Sequence, residues 1–330
     1  TFVLVDRDPL LKDTDDRVNN FSDCARIFED RLGNQAAAFL VYVKAIEVNP
    51  ADDNILIEMW RLAQSLENWD EYVAAIDVVL SRMGDDARLE HTVRLGEILR
   101  THTSRQADAI RYYEMVLKDW PENEASLEAL TGLYADAQKF NELVAVLERR
   151  VELTGDYLQK VELQSAAAAV LELRLNDPKR AVVAYAKVLD FDDRHIETID
   201  SLVRLYADLQ DWEKLVEALE RKADVAPESE IDIRFRIGGI LEENIKDPRR
   251  AIKAYETILE QSASHTPAIE RLQALYAGLE DWAGLADVFE RLLDMASEIP
   301  DRILYCNKLA VLFETALDDK RRALDYWQQI

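Results

Sequence analysis

Ala37–Ile46 reads AAFLVYVKAI, and the same pattern returns as AIRYYEMVL from Ala109, AVVAYAKVL from Ala181, AIKAYETIL from Ala251 and ALDYWQQI from Ala323. Aligned on Ala38, Ala109, Ala181, Ala251 and Ala323, the copies lie 71, 72, 70 and 72 residues apart. An aromatic residue stands four places after each alanine: Tyr42, Tyr113, Tyr185, Tyr255 and Trp327. Residues four apart share one face of an α-helix, so alanine and ring belong to one packing surface. Self-similarity at a fixed period is the mark of a repeat architecture.

A second series runs between these copies. NWDEYV, KFNELV, DWEKLV and DWAGLA place Trp69, Phe140, Trp212 and Trp282 at intervals of 71, 72 and 70, each 31 residues after its preceding alanine. The period is therefore a four-helix block of about 71 residues, made of two unlike helix pairs in alternation. In the first type of pair a small residue stands 13 places before each alanine: Ala25, Gly96, Ala168, Gly238 and Ala310. Small residues on facing helices permit close approach, with the aromatic side chain filling the space beside the contact. Asn176-Asp177-Pro178 and Lys246-Asp247-Pro248 read as helix starts, because Asp caps orphan amides and proline suits the first helical position. The second type of pair lacks the small residue and shows Trp60, Thr131, Val203 and Gln273 instead, which predicts a looser approach there.

Small residue, turn, alanine, aromatic one turn on, then Pro50 or Pro121 after the second helix: this order resembles the tetratricopeptide repeat, over nearly the whole chain. The resemblance implies an all-α fold, a right-handed α-solenoid of stacked antiparallel helix pairs, and a role in binding other proteins. The long acidic repeat proteins that act as bacterial adaptors look similar. Residues 1–330 then form a single solenoid. Thr1 to Val5 aligns with the middle of a second helix and Ile330 falls inside another, so the chain reads as a fragment cut within repeats at both ends. Uncapped ends of a solenoid expose apolar surface, which makes end-to-end self-association of such a fragment an expectation.

Composition narrows the function. The 330 residues carry 65 Asp and Glu against 40 Lys and Arg, a net charge of −25, with only 9 Gly and 8 Pro. A chain this acidic repels nucleic acid and anionic lipid, and no basic run offsets it. The small-apolar stretch Ala166–Val170 is soon broken by Glu172 and Arg174, so membrane insertion is not expected. Cys24 and Cys306 are too far apart in a repeat array to pair, which favours a reducing compartment such as the cytoplasm. The tripeptide Asn20-Phe21-Ser22 matches a glycosylation acceptor, a signal too short to weigh. His91, His102, His195 and His265 fall in no metal-ligand spacing. There is no phosphate loop or nucleophile elbow, and acidic pairs such as Glu242-Glu243 read as solvated surface, so neither catalysis, metal nor cofactor is expected.

What remains is a surface. In the resembling family the first helix of each pair lines the concave side where partner segments bind. Carried over by position, that face holds Arg26, Glu29, Glu97, Arg100, Glu162, Glu172, Arg204, Asp208, Glu242 and Glu243, with Phe235 as an apolar contact. Carboxylates outnumber arginines, so the implied partner is a basic or amphipathic segment of another protein, steered by charge and held by apolar contact. The Lys and Asn set that clamps acidic chaperone tails in one variant of the family is missing from these positions. The chain thus reads as a scaffold or adaptor; the alternative is a regulatory or substrate-recruiting arm of a larger enzyme.

Overall fold

A computed structural model describes residue 11 and residues 13–330. Thr1 to Val5, aligned above with a second helix, lies outside the described residues. The chain falls into two compact units, Thr1–Gln159 and Lys160–Ile330. Eighteen α-helices and no strand occur among the described residues.

In the first unit α1 (Thr14–Arg26, drawn out by a π turn at Ile27–Arg31) and α2 (Gln35–Val48) form a first-type pair. A second-type pair follows, α3 (Asp53–Leu66) with α4 (Trp69–Val79). The alternation continues with α5 (Asp85–Thr101), α6 (Gln106–Asp119), α7 (Glu124–Asp136) and α8 (Phe140–Leu153). The second unit is built on α9 (Tyr157–Leu173) and α10 (Pro178–Phe191), then α11 (Ile196–Asp208) and α12 (Trp212–Val225). It goes on through α13 (Glu230–Ile240, with a π turn at Leu241–Ile245), α14 (Pro248–Gln261), α15 (Thr266–Gly278) and α16 (Trp282–Met295). The last pair is α17 (Ile299–Thr315) and α18 (Lys320–Trp327). Within each unit, helices adjacent in sequence pack on one another.

The block period reappears in the caps. Asn34, Asp177, Asp247 and Asp319 stand at one block position, and each side chain accepts from the backbone amide three residues on, at 3.0–3.1 Å. Pro178 and Pro248 follow directly, as the motif predicts. At the start of the second-type pairs the cap is Asp52, Asn123, His195 or His265. The two histidines are therefore helix caps: His195 Nδ1 accepts from Thr198 N and His265 Nδ1 from Ala268 N. Sequence spacing had left both without a role.

The core follows the repeat signature. Ala38, Ala109, Ala181, Ala251 and Ala323 are buried, as are Ala25, Ala168 and Ala310. What each small residue meets is more specific than helix against helix. A Cβ placed on Gly96 would lie 2.9 Å from the ring of Tyr113, and one on Gly238 would lie 2.4 Å from the ring of Tyr255. In these pairs the glycine is the seat of the tyrosine. Trp327 departs from its series, standing 42% exposed where Tyr42, Tyr113, Tyr185 and Tyr255 are buried. Cys24 and Cys306 are both free and buried, each within its own unit. No described helix is long and apolar enough to cross a membrane.

Candidate binding face of the first helices

The residues assigned to the concave face sit near the ends of the first helices, where arginines tie one such helix to the next. Arg61 Nη2 on α3 reaches Glu29 at 2.6 Å in the π turn that prolongs α1, and also holds Glu58 at 2.8 Å. Arg204 on α11 pairs with Glu172 on α9. Arg271 on α15 spans Glu242 and Glu243, each at 3.3 Å. The spacing of 32 residues from Glu29 to Arg61 recurs from Glu172 to Arg204, two block periods further on. Arg61 and Arg271 were not among the residues read from the sequence, although the match of Arg61 to Arg204 was available there.

Three carboxylates of this face receive the core tyrosines. Tyr113 Oη donates to Glu97 at 3.1 Å, Tyr185 Oη to Glu172 at 3.1 Å, and Tyr255 Oη to Glu242 at 3.3 Å. Burial, reinforced by the neighbouring carboxylate, pushes the Tyr255 phenol up to about 12. The hydrogen bond from Arg61 holds Glu29 below the usual carboxylate range, and that from Arg100 does the same for Glu97. Glu97, Glu172 and Glu242 are thus pinned at both the core and the surface, while Glu29 is held by Arg61 and by Gln35 Nε2. Arg26, Glu162 and Asp208 stand exposed, while Phe235 is half-buried between Tyr255 at 5.4 Å and His265 at 5.6 Å.

The second block breaks the ion-pair pattern. Arg100 occupies the position of Glu29 and Glu172, and Gly132 that of Arg61 and Arg204. Arg100 turns back to Glu97 within its own helix, at 2.7 Å, and nothing lies within 4 Å of a Cβ placed on Gly132. The result is an open cleft of about 510 Å³ between α5 and α7, lined by Glu97, Arg100, Tyr113, Glu128 and Gly132. On the other side of α5 lies a cleft of about 560 Å³, lined by Ile57, Trp60, Glu90, His91 and Arg94. No cluster of three metal-ligating side chains occurs among the described residues.

No protein-family model matches the sequence, and no curated protein matches it. Among solved structures, MamA is 22% identical with a TM-score of 0.32, over 54% of this chain and 94% of that one. YrrB, a tetratricopeptide protein with an unusual peptide-binding site, is 12% identical with a TM-score of 0.31, over 54% of this chain and 89% of that one. The Naa15/Naa10 assembly bound to HypK is similar over 99% of this chain and 54% of that one, at 15% identity and a TM-score of 0.42. The architecture rests on the chain's own repeats. They form a tetratricopeptide-like all-α fold. Small residue, turn, alanine and aromatic recur through it at the block period.

His91 is one of five buried polar residues in the core of the described chain, with Thr92, Ser126, Gln164 and Thr198. It is 6% exposed, and its Nδ1 has no hydrogen-bond partner among the described residues. Burial first, and then the nearby Arg94, pull its pKa below the ordinary 6.5, against smaller opposing effects of Glu90 and Asp53. The unfolded chain therefore takes up this proton first as pH falls. Stability present above about pH 6.5 is lost progressively below it, because protonation favours the unfolded state. His91→Leu is expected to flatten the fall in melting temperature between about pH 6.5 and 5. Equal slopes in both proteins would remove His91 as the source.

Proposed function

We propose that the chain is a protein-interaction scaffold whose first-helix face binds a basic or amphipathic segment of another protein. The observation that carries this is the row of inter-helix arginine–glutamate pairs, Arg61–Glu29, Arg204–Glu172 and Arg271–Glu242. They lay successive first helices side by side within each unit, and the clefts flanking α5 lie open between such helices. Repeats that contact only their neighbours leave a continuous face free for a ligand. Glu162 and Asp208 remain exposed on that face, so a cationic segment is steered there and gains affinity from apolar side chains that enter the clefts.

The test uses synthetic peptides of equal length. A lysine- and arginine-rich amphipathic peptide should bind more tightly than its glutamate-rich counterpart, with affinity falling as salt rises from about 0.05 to about 0.3 M. Glu162→Lys combined with Asp208→Lys should weaken the basic peptide several-fold at an unchanged melting temperature. These two residues are the choice because reversing Glu97, Glu172 or Glu242 would also break a tyrosine hydrogen bond. Indifference to peptide charge, or to the double substitution, would overturn the reading.

A further inference from the structure

Two hydrogen bonds, one joining α6 to α7 and one joining α14 to α15, have no counterpart between α10 and α11. Tyr134 Oη donates to Glu114 at 2.9 Å, and Tyr276 Oη donates to Glu256 at 2.5 Å. Across the four second-type pairs the tyrosine position reads Ala63, Tyr134, Tyr206 and Tyr276. The glutamate position, in the helix before, reads Val43, Glu114, Ala186 and Glu256. Ring and acceptor are thus present together in two blocks and absent together in one. The third block keeps the tyrosine and lacks the carboxylate, so the Tyr206 hydroxyl has no hydrogen-bond partner among the described residues. The space over Ala186 is a cavity of about 200 Å³ between α10, α11 and α12, within the second unit. Lys214 and Arg221 line it together with Tyr206, and the position of Lys214 is Glu71, Glu142 and Gly284 in the other blocks. Arg221 makes no ion pair among the described residues. Burial raises the Tyr206 phenol above its ordinary value; Lys214 and Arg221 act against that shift, Asp211 and Glu217 with it, so the hydroxyl stands among the charges of this cavity.

We propose that this cavity is a receptor for a carboxylate on a short alkyl stem, the group that Glu114 and Glu256 supply from within the chain. The ligand carboxylate accepts from Tyr206 Oη, as those glutamates accept from Tyr134 and Tyr276, and Lys214 and Arg221 balance its charge. Its stem meets the apolar wall of Leu189 and Leu202. Asp190 and Glu217 also line the cavity without excluding an anion, because Glu260 and Asp287 hold the same two positions beside Glu256. The ion pair of Lys214 with Glu217, at 2.8 Å, leaves the ammonium two further donors. A neutral amide would fill the volume and forgo the charge, and a cation would face Lys214 and Arg221. The inference does not depend on the scaffold reading, since none of the residues proposed above for peptide binding lines this cavity.

The probes are propionate, which is the glutamate side chain alone, propionamide, and glutamate with its α-amino and α-carboxyl groups both blocked as amides. Amide chemical shifts of α10 to α12 follow their binding to the intact chain. Propionate should bind about tenfold more tightly than propionamide, and Tyr206→Phe should weaken propionate about tenfold, the scale of one hydrogen bond to a charged group. Ala186→Glu restores the residue of the neighbouring blocks and should abolish propionate binding by filling its place. Tyr206→Phe should leave the melting temperature of the unaltered chain unchanged, because that hydroxyl has no partner to lose, and should lower it in the Ala186→Glu background. Blocked glutamate binding as propionate does assigns the site to a side chain of another polypeptide; propionate binding alone assigns it to a free short-chain acid. Absence of propionate binding, equal affinities for propionate and propionamide, or propionate binding unchanged by Ala186→Glu or by Tyr206→Phe would each overturn the proposal. So would an equal effect of Tyr206→Phe on the melting temperature in both backgrounds.

Discussion

Replacing Tyr255 by alanine is expected to cost about 3–5 kcal/mol, the range for deleting a fully buried aromatic side chain. The ring is fully buried and lies directly over Gly238. Its hydroxyl is a smaller matter: Tyr255→Phe should cost about 1 kcal/mol, because Glu242 keeps Arg271 as a partner when the phenol is gone. The diagnostic result is a change of sign. Gly238→Ala in the unaltered chain forces a methyl carbon to 2.4 Å from the ring and should destabilise. In a Tyr255→Ala background the same change should stabilise by about 0.5–1 kcal/mol, since only the helix preference for alanine over glycine remains. Urea unfolding of the four proteins closes the cycle. Because repeats couple only to their neighbours, amide exchange in the Tyr255→Ala protein should quicken first in α13 to α15. If Gly238→Ala has the same sign in both backgrounds, ring and glycine do not meet.

Much of this architecture could be read from residue spacing, for a physical reason. A solenoid buries one helix pair against the next, so each block must supply the same small residue, alanine and ring at the same places. Ala38 and Tyr42 recur for the same cause that Ala181 and Tyr185 do. The exact partner of the small residue could not be read, because a glycine marks close approach without naming what approaches. Caps were legible where aspartate or asparagine served and hidden where histidine did, as at His195 and His265, since a ring nitrogen is a rarer cap than a carboxylate.

The candidate face divides in the same way. Its carboxylates were legible by carrying over positions, but their fate was not. Glu97, Glu172 and Glu242 are engaged by tyrosine hydroxyls and arginines, which costs them freedom to meet a partner. The arginines that hold Glu172 and Glu242 come from helices about thirty residues away, a separation at which charge pairing leaves no local pattern. Only the block period connects Arg61 with Arg204, and only departures from that period, at Arg100 and Gly132, mark the cleft between α5 and α7. In a repeat protein the conserved geometry is scaffold, so residues that break it without a structural need are the ones to examine for binding.

One departure from ideal chemistry is itself periodic, and it yields the second large effect. Glu67, Gln138, Gln210 and Glu280 hold left-handed backbone at φ 54° to 57°, each closing the first helix of a second-type pair. The turn is fixed by bonds that reach back five residues: Lys139 N to Tyr134 O, Asp211 N to Tyr206 O and Asp281 N to Tyr276 O, all at 2.9 Å. Glycine suits this conformation, and Gly33 holds it in a first-type turn at φ 61°. A side chain there costs about 1–2 kcal/mol, from which the greater unfolded-state freedom of glycine subtracts about 0.4–1 kcal/mol. The four sites lie in separate pairs and share no partner, so their effects should add. Glycine at all four is expected to raise stability by about 2–4 kcal/mol, read as a higher urea midpoint with an unchanged slope. Ala135→Gly, inside α7 one turn before Lys139, supplies the contrast: there glycine meets ordinary helical backbone and should cost about 0.5–1 kcal/mol. A lower midpoint in the fourfold variant would mean that the Glu67, Gln138, Gln210 and Glu280 side chains stabilise the turns by more than their backbone strain costs, and the turn chemistry would then belong to the side chain rather than to φ.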